Sequence, residues 1–195
     1  MPVEQAVDIM LPRKFYSRNA RTVAKELLGK ILVNKECRGR IVETEAYLGA
    51  NDPGSRGYRK VKNPPKSLYK PPGHAFVYFT YGNYWMFNVT AKKGDPKMLG
   101  AILIRAVEPL EGIGRMKKRR NTSDIRNLAS GPGKFTQAFG INKSHDGTDL
   151  TSGELHIENS KGKFETVTTT RIGLSAGQEK LLRYYIKDNE FVSKI

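Results

Sequence analysis

Glu43, Glu45 and Tyr47 alternate in "ETEAY" (43–47), and an extended chain repeats its side chains every two residues, so all three fall on one face of a strand. A carboxylate on such a face can take a proton from water and offset positive charge at a carbon losing its substituent. A salt bridge or a strand-edge charge uses the same residue type. Glu45 stands just before Tyr47 and a basic loop, yet Glu43 faces the same way, so alternation leaves an exchange of roles between the two acids open. Arg105 interrupts the apolar run "AILIRAV" (101–107). Turned inward, a cation there needs water or a partner. Its five donors suit a carboxylate, from Glu43, Glu45 or Glu108, as well as a substrate phosphate.

Aromatic residues crowd "PPGHAFVYFTYGNYW" (71–85). Such rings either stack on a base or fill a core. Within 75–80, Phe76, Tyr78 and Thr80 share one face while Val77 and Phe79 take the other. Tyr81 falls at a turn, where a ring can enter a duplex and fill the gap left by a displaced nucleotide; packing is the competing use. The basic stretches 59–70 and 115–120, which include Lys60, Lys62 and Arg115, suit a phosphate backbone or a solvated surface. "GIG" (112–114) and "PGK" (132–134) lack the spacing of a phosphate loop.

These residues need elements to position them. A helix is expected over 20–30, ending at Gly29, and two strands over 31–49 joined near Arg38 and Gly39. Residues 50–73, rich in Pro, Gly and basic side chains, read as a long loop of the kind that carries binding. Strands follow at 75–80 and 84–90, then a polar turn and a core strand over 98–110. The cluster "EGIGRMKKRR" (111–120) lies on or beside a helix, and a further helix covers 133–139 with Lys134 on its exposed side. Residues 151–175 hold several β-prone pieces, and the last stretch fits a short helix or a terminal strand equally.

The 195 residues suit one compact domain, here 1–195. Their formal charge of +15 attracts polyanions, nucleic acid first among them, although a ribosomal or membrane-surface protein would show the same excess. One cysteine, Cys37, excludes an internal disulfide, and the dispersed His74, His145 and His156 lack metal-ligand spacing. With no apolar run of membrane length and no signal-peptide core, the chain reads as intracellular, cytoplasmic if bacterial, with no membrane partner.

Together, "ETEAYLG", "PPGHAFVYFTYGNYW", "ILIRAVEP" and "SGPGKFTQAFGINKS" resemble the alkyladenine, or 3-methyladenine, DNA glycosylase family, in the order that family shows them. The resemblance runs from about residue 11 to 186. It implies an α+β fold, a single mixed domain around a curved antiparallel β-sheet with peripheral helices. It implies a monomeric, monofunctional enzyme of base excision repair that flips a damaged purine from double-stranded DNA and hydrolyses its N-glycosidic bond without metal or organic cofactor. Carried over residue by residue, Glu45 is the base that activates water and Arg105 positions water and carboxylate. Tyr47 and Tyr78 are opposing walls of the base pocket, Asn88 discriminates among purines, and Tyr81 is the wedge in the DNA gap.

Three positions depart from that pattern. Arg56 stands where the family commonly has a histidine against the flipped base, bringing a permanent cation. Asn83 replaces an apolar residue beside the wedge, where it meets DNA. The loop "YRKVKNPPKSLYK" is more basic than the family's usual segment. Alkylated purines are the leading substrate expectation, with hypoxanthine and etheno-adenine alongside. The competing functions are a lesion-recognising DNA-binding member with weak or no cleavage, and an RNA- or ribosome-associated basic protein.

Overall fold

The computed structural model describes residues 10–80, 82–94 and 98–194. Its centre is an antiparallel sheet of eight strands: β1 (Ile31–Asn34), β2 (Cys37–Tyr47), β3 (Ala75–Thr80), β4 (Tyr84–Thr90), β5 (Ala101–Glu111), β6 (Leu155–Glu158), β7 (Thr166–Thr169) and β8 (Arg183–Ile186). The path runs β3-β4-β5-β2-β1-β6, and β8 joins β2 to β7 off that path. Four helices lie around the curved sheet: α1 (Arg13–Tyr16), α2 (Ala20–Leu27), α3 (Ile113–Arg120) and α4 (Pro132–Phe139). The α+β arrangement expected from the sequence is the one found.

α2 begins where the Asn19 side chain accepts from the Arg21 N–H at 2.9 Å, and it buries Ala20, Val23, Ala24 and Leu27. It is fastened to the sheet by Thr44, whose hydroxyl donates to Ala24 O at 2.9 Å. α4 starts with Pro132 at its first turn and packs Phe135 and Phe139 into the core beside Phe87. A smaller apolar group of Leu68, Phe76, Leu99 and Ala101, with Tyr78 against it, lies beneath the 50–73 loop. β3 therefore serves two bodies: Val77 joins the main core, while Phe76 and Tyr78 face the smaller one.

The β1–β2 turn falls at Lys35 and Glu36, with Asn34 opposite Cys37, and not near Arg38 and Gly39 as the sequence suggests. Lys35 adopts the left-handed conformation this two-residue turn uses. Gly39 lies inside β2 for a packing reason: a Cβ there would come within 2.4 Å of Val107 Cγ1 and 2.8 Å of Glu108 O. The terminal stretch resolves as strand β8, and the β-prone 151–175 region supplies β6 and β7. The 50–73 loop contains short 3-10 turns at Gly49–Asn51 and Lys66–Tyr69.

β2 changes partners along its length. Its first residues pair with β1, Glu43 to Glu45 pair with β8, and β5 covers the other edge. The register against β5 shifts between Ile41 and Glu43 and again between Glu43 and Thr44. At the second shift Glu43 lies opposite Ala106 and Thr44 opposite Ile104, leaving Arg105 without a facing residue. Bulges of this kind bend a strand and re-aim a side chain, and here the side chain re-aimed is the one cation of the core strand.

Candidate active site

Two buried acids and two buried arginines meet at the bend. Arg105 Nε donates to Glu43 Oε1 at 3.0 Å, and its Nη1 lies 3.2 Å from Glu45 Oε1. Glu43 also accepts from Arg183 Nη1 at 2.9 Å and from the Ser193 N–H at 2.7 Å. Neither carboxylate is exposed, and the Arg105 side chain is 9% exposed. Burying such charges is tolerable only when they are paired and hydrogen-bonded, a condition this cluster meets with two cations against two anions, Arg183 Nε alone lacking an acceptor among the described residues. Burial works against the Arg105 charge, but Glu45 and Glu43 outweigh it and hold the guanidinium above its ordinary pKa. The partners left open by the sequence are thus Glu43 and Glu45 together; Glu108 pairs instead with Arg40 at 2.8 Å.

Glu45 is held by donors on both oxygens. Tyr47 Oη donates to Oε2 at 2.8 Å, and the Ile172 N–H donates to Oε1 at 2.8 Å. With Arg105 on Oε1, three of about four acceptor positions of a carboxylate are in use, and one on Oε2 remains. Burial, then the neighbouring Glu45 charge and hydrogen bond, push the Tyr47 phenol well above its ordinary range, so Tyr47 is a donor throughout the working pH range.

Beside this cluster opens a cavity of about 640 Å³. Tyr47, Tyr78, Asn88 and Arg105 line it together with Arg56 and Lys62. Glu45 sits behind this lining, bonded to three residues that form it, Tyr47, Arg105 and Ile172. Asn88 is buried and donates from Nδ2 to Phe76 O at 3.2 Å, which fixes its amide on the cavity wall. The Arg56 guanidinium carbon stands 4.0 Å from the centre of the Tyr78 ring. Most of the site residues named from the sequence therefore converge.

Others lie elsewhere. Asn83 is exposed on the turn between β3 and β4, and Lys60 is exposed on the loop outside the cavity. Arg115 sits on α3, beyond the end of β5 opposite to the cavity, in an ion pair with Glu36 at 3.1 Å. Tyr81 lies outside the described residues. His74 is structural: its Nδ1 lies 2.9 Å from Pro71 O and 3.0 Å from Arg13 Nη1. Among the described residues no group of three or more His, Cys, Asp or Glu side chains could hold a metal ion.

A second buried pair escapes the sequence reading. Arg171 grips Asp52 with two bonds, Nη1 to Oδ2 at 2.6 Å and Nη2 to Oδ1 at 2.8 Å, both side chains wholly buried. Its Nη1 also donates to Ala46 O at 3.0 Å, and its guanidinium carbon lies 4.7 Å from the centre of the Tyr47 ring. Asp52 in turn accepts from the Leu48 and Gly54 N–H groups. Burial alone would raise the Asp52 pKa, but the bonds from Arg171, Leu48 and Gly54 outweigh it and hold it low. Arg171 thus ties Tyr47, the start of the 50–73 loop and the 170–174 segment into one wall. Asp52 in "NDPG" has the signature of a turn residue, but nothing in the sequence points from it to an arginine so distant in the chain.

A carboxylate ringed by donors lies beside an aromatic-walled cavity on a basic antiparallel sheet domain, an arrangement suited to hydrolysis of a flat substrate borne by a polyanion. The family model described as methylpurine-DNA glycosylase matches residues 14–190. Proteins named "Putative 3-methyladenine DNA glycosylase" are 43% identical to the chain, one from Clostridium botulinum covering 94% of this chain and 98% of its own length, another from Carboxydothermus hydrogenoformans covering 95% and 100%. The chain belongs to the methylpurine-DNA glycosylase family. It is a monofunctional DNA N-glycosylase of base excision repair that acts on alkylated purines in double-stranded DNA, and hence an intracellular protein associated with DNA. No helix among the described residues is long and apolar enough to cross a membrane.

Proposed function

We propose that Glu45 is the general base of this hydrolysis, that Arg105 positions it, and that Tyr47 and Tyr78 are the walls between which the flipped purine stacks. The observation that carries the reading is the bonding of Glu45 to Tyr47 and Arg105, two residues that line the cavity. A water admitted at the cavity floor would use the remaining acceptor position on Glu45 Oε2. It gives up a proton there as its oxygen adds to C1′ of the deoxyribose, while the bond from C1′ to the purine nitrogen breaks and its electron pair leaves with the base. The carboxylate also offsets the positive charge that builds on the sugar. Asn88, fixed by Phe76, selects among purine edges.

The same reading gives Tyr81 and Asn83 the gap and the opposite strand, and Lys60 and Lys62 the phosphate backbone, while Arg115, paired with Glu36 on α3, stands apart from it. The protein works as a monomer and as one domain over residues 1–195, in the cytoplasm if its source is bacterial. Water attack leaves a free abasic sugar and no covalent link to the enzyme.

Single-turnover incubation with duplexes bearing one lesion each, followed by alkaline cleavage, tests this. Lesion-dependent strand breaks are expected after alkali, with no protein–DNA adduct trapped by borohydride. Tight binding of lesions without breaks would move the assignment to a lesion-recognising protein that does not cleave.

A further inference from the structure

We infer that Arg56 is a specificity-determining residue that directs this glycosylase toward damaged purines that are electrically neutral and away from those that carry a positive charge. The inference rests on the proposed reading of the cavity as the base pocket. Its first support is position. The Arg56 guanidinium carbon lies 4.0 Å from the centre of the Tyr78 ring, on the aromatic wall where a base would stack.

The second support is the charge of the lining. Arg56, Lys62 and Arg105 are the cations among the residues lining the cavity, and none of those residues is acidic. Arg105 is committed to Glu43 and Glu45. Among the described residues Arg56 and Lys62 have no carboxylate partner, so their charge faces whatever enters.

Arg56 is also held in place by its backbone. The Ser55 N–H donates to Asp52 O at 2.9 Å, the Gly57 N–H to Ser55 Oγ at 3.1 Å, and the Tyr58 N–H to Ser55 O at 3.0 Å. A Cβ on Gly57 would come within 2.7 Å of Leu99, so this turn is pressed against the body of the protein. Since Asp52 is clamped by Arg171, Arg56 projects from a turn anchored at both ends to the body of the protein.

The chemistry then separates two substrate classes. When a neutral purine departs, the electron pair of the broken bond leaves negative charge on the ring, and a guanidinium at the ring stabilises it more in the transition state than in the ground state. The purine afterwards takes a proton from solvent, and the proton lost by the attacking water passes through Glu45 to solvent, so the reaction balances as hydrolysis. When the purine already carries positive charge it departs neutral. It gains nothing from Arg56 and is repelled by it.

The test compares single-turnover release of a neutral lesion, hypoxanthine, with that of a cationic one, N7-methylguanine, for the wild type, Arg56→Gln and Arg56→Lys. Arg56→Gln is expected to slow hypoxanthine release about tenfold while N7-methylguanine release holds or rises, and Arg56→Lys to keep most of the wild-type preference. Equal changes on both lesions would overturn the inference and make Arg56 a phosphate contact. If the wild type releases neither base, the glycosylase reading fails on its own. The affinities of Glu45→Gln with and without Arg56→Gln for the two duplexes then decide this inference: a ratio that stays the same overturns it, and a ratio shifted toward the cationic lesion upholds it.

Discussion

Tyr47 Oη donates to Glu45 Oε2 at 2.8 Å, two residues along the same face of β2. One side chain thus lines the cavity and orients the carboxylate beneath it. Replacing Tyr47 with Phe keeps the ring and removes the donor. Lesion-duplex affinity should stay near wild type, while single-turnover release falls about tenfold, since one hydrogen bond to a charged group is worth roughly 1.5 kcal/mol or more. Gel-shift titration and a quenched time course separate the two effects.

Glu43 should matter more for stability than for chemistry. Glu43→Gln would leave Arg183 buried beside a neutral amide and Arg105 with one anion instead of two. Breaking a buried pair costs about 3–5 kcal/mol. For a chain of this size the melting temperature should drop by roughly 10 °C, measured by thermal unfolding with and without duplex DNA.

How much of this could be read from the chain follows from the range of each interaction. Glu43, Glu45 and Tyr47 share a face by strand alternation alone, and the facing of Phe76 and Tyr78 against Val77 is equally local. Motif order supplied the family. Gly39 misled because a glycine demanded by close packing against Val107 looks, in sequence, like a glycine that makes a turn. Arg171 and Asp52 could not be paired beforehand, because their contact depends on how the 50–73 loop returns to the sheet. The Ile172 N–H was out of reach for another reason: a backbone donor carries no residue-type signal. The choice between helix and strand for the C-terminal stretch was settled by its pairing with β2, a long-range contact.

Acid stability should expose a further ion pair. Arg13 and Asp149 form a salt bridge. Burial opposes the Asp149 charge, but bonds from Thr151 and Arg13 outweigh it and hold its pKa down to about 2. A carboxyl whose folded value is depressed stabilises fully above its unfolded value, about 4, and loses that contribution as pH falls through the folded value. The melting-temperature gap between wild type and Asp149→Asn should therefore be widest near neutral pH and shrink from about pH 4 to pH 2. A gap that stays constant across that range would contradict the linkage.

Salt dependence should sort the basic residues. Lys62 lines the cavity and Lys60 is exposed close to it, whereas Arg115 is paired with Glu36 at the far end of β5. Changing Lys60 or Lys62 to Ala should reduce the slope of log affinity against log salt by about 0.9 each if each neutralises one phosphate. Arg115→Ala should leave that slope near wild type, and an equal reduction would place DNA along α3 as well.

Every role proposed for the site depends on Glu45 activating water. The most direct measurement of that step is single-turnover base release by Glu45→Gln on a lesion duplex, with affinity for the same duplex measured in parallel. Retained binding is expected, with release slowed by about a hundredfold or more, the scale on which a positioned general base acts. Release at the wild-type rate by a folded, DNA-binding Glu45→Gln protein would contradict water activation by Glu45.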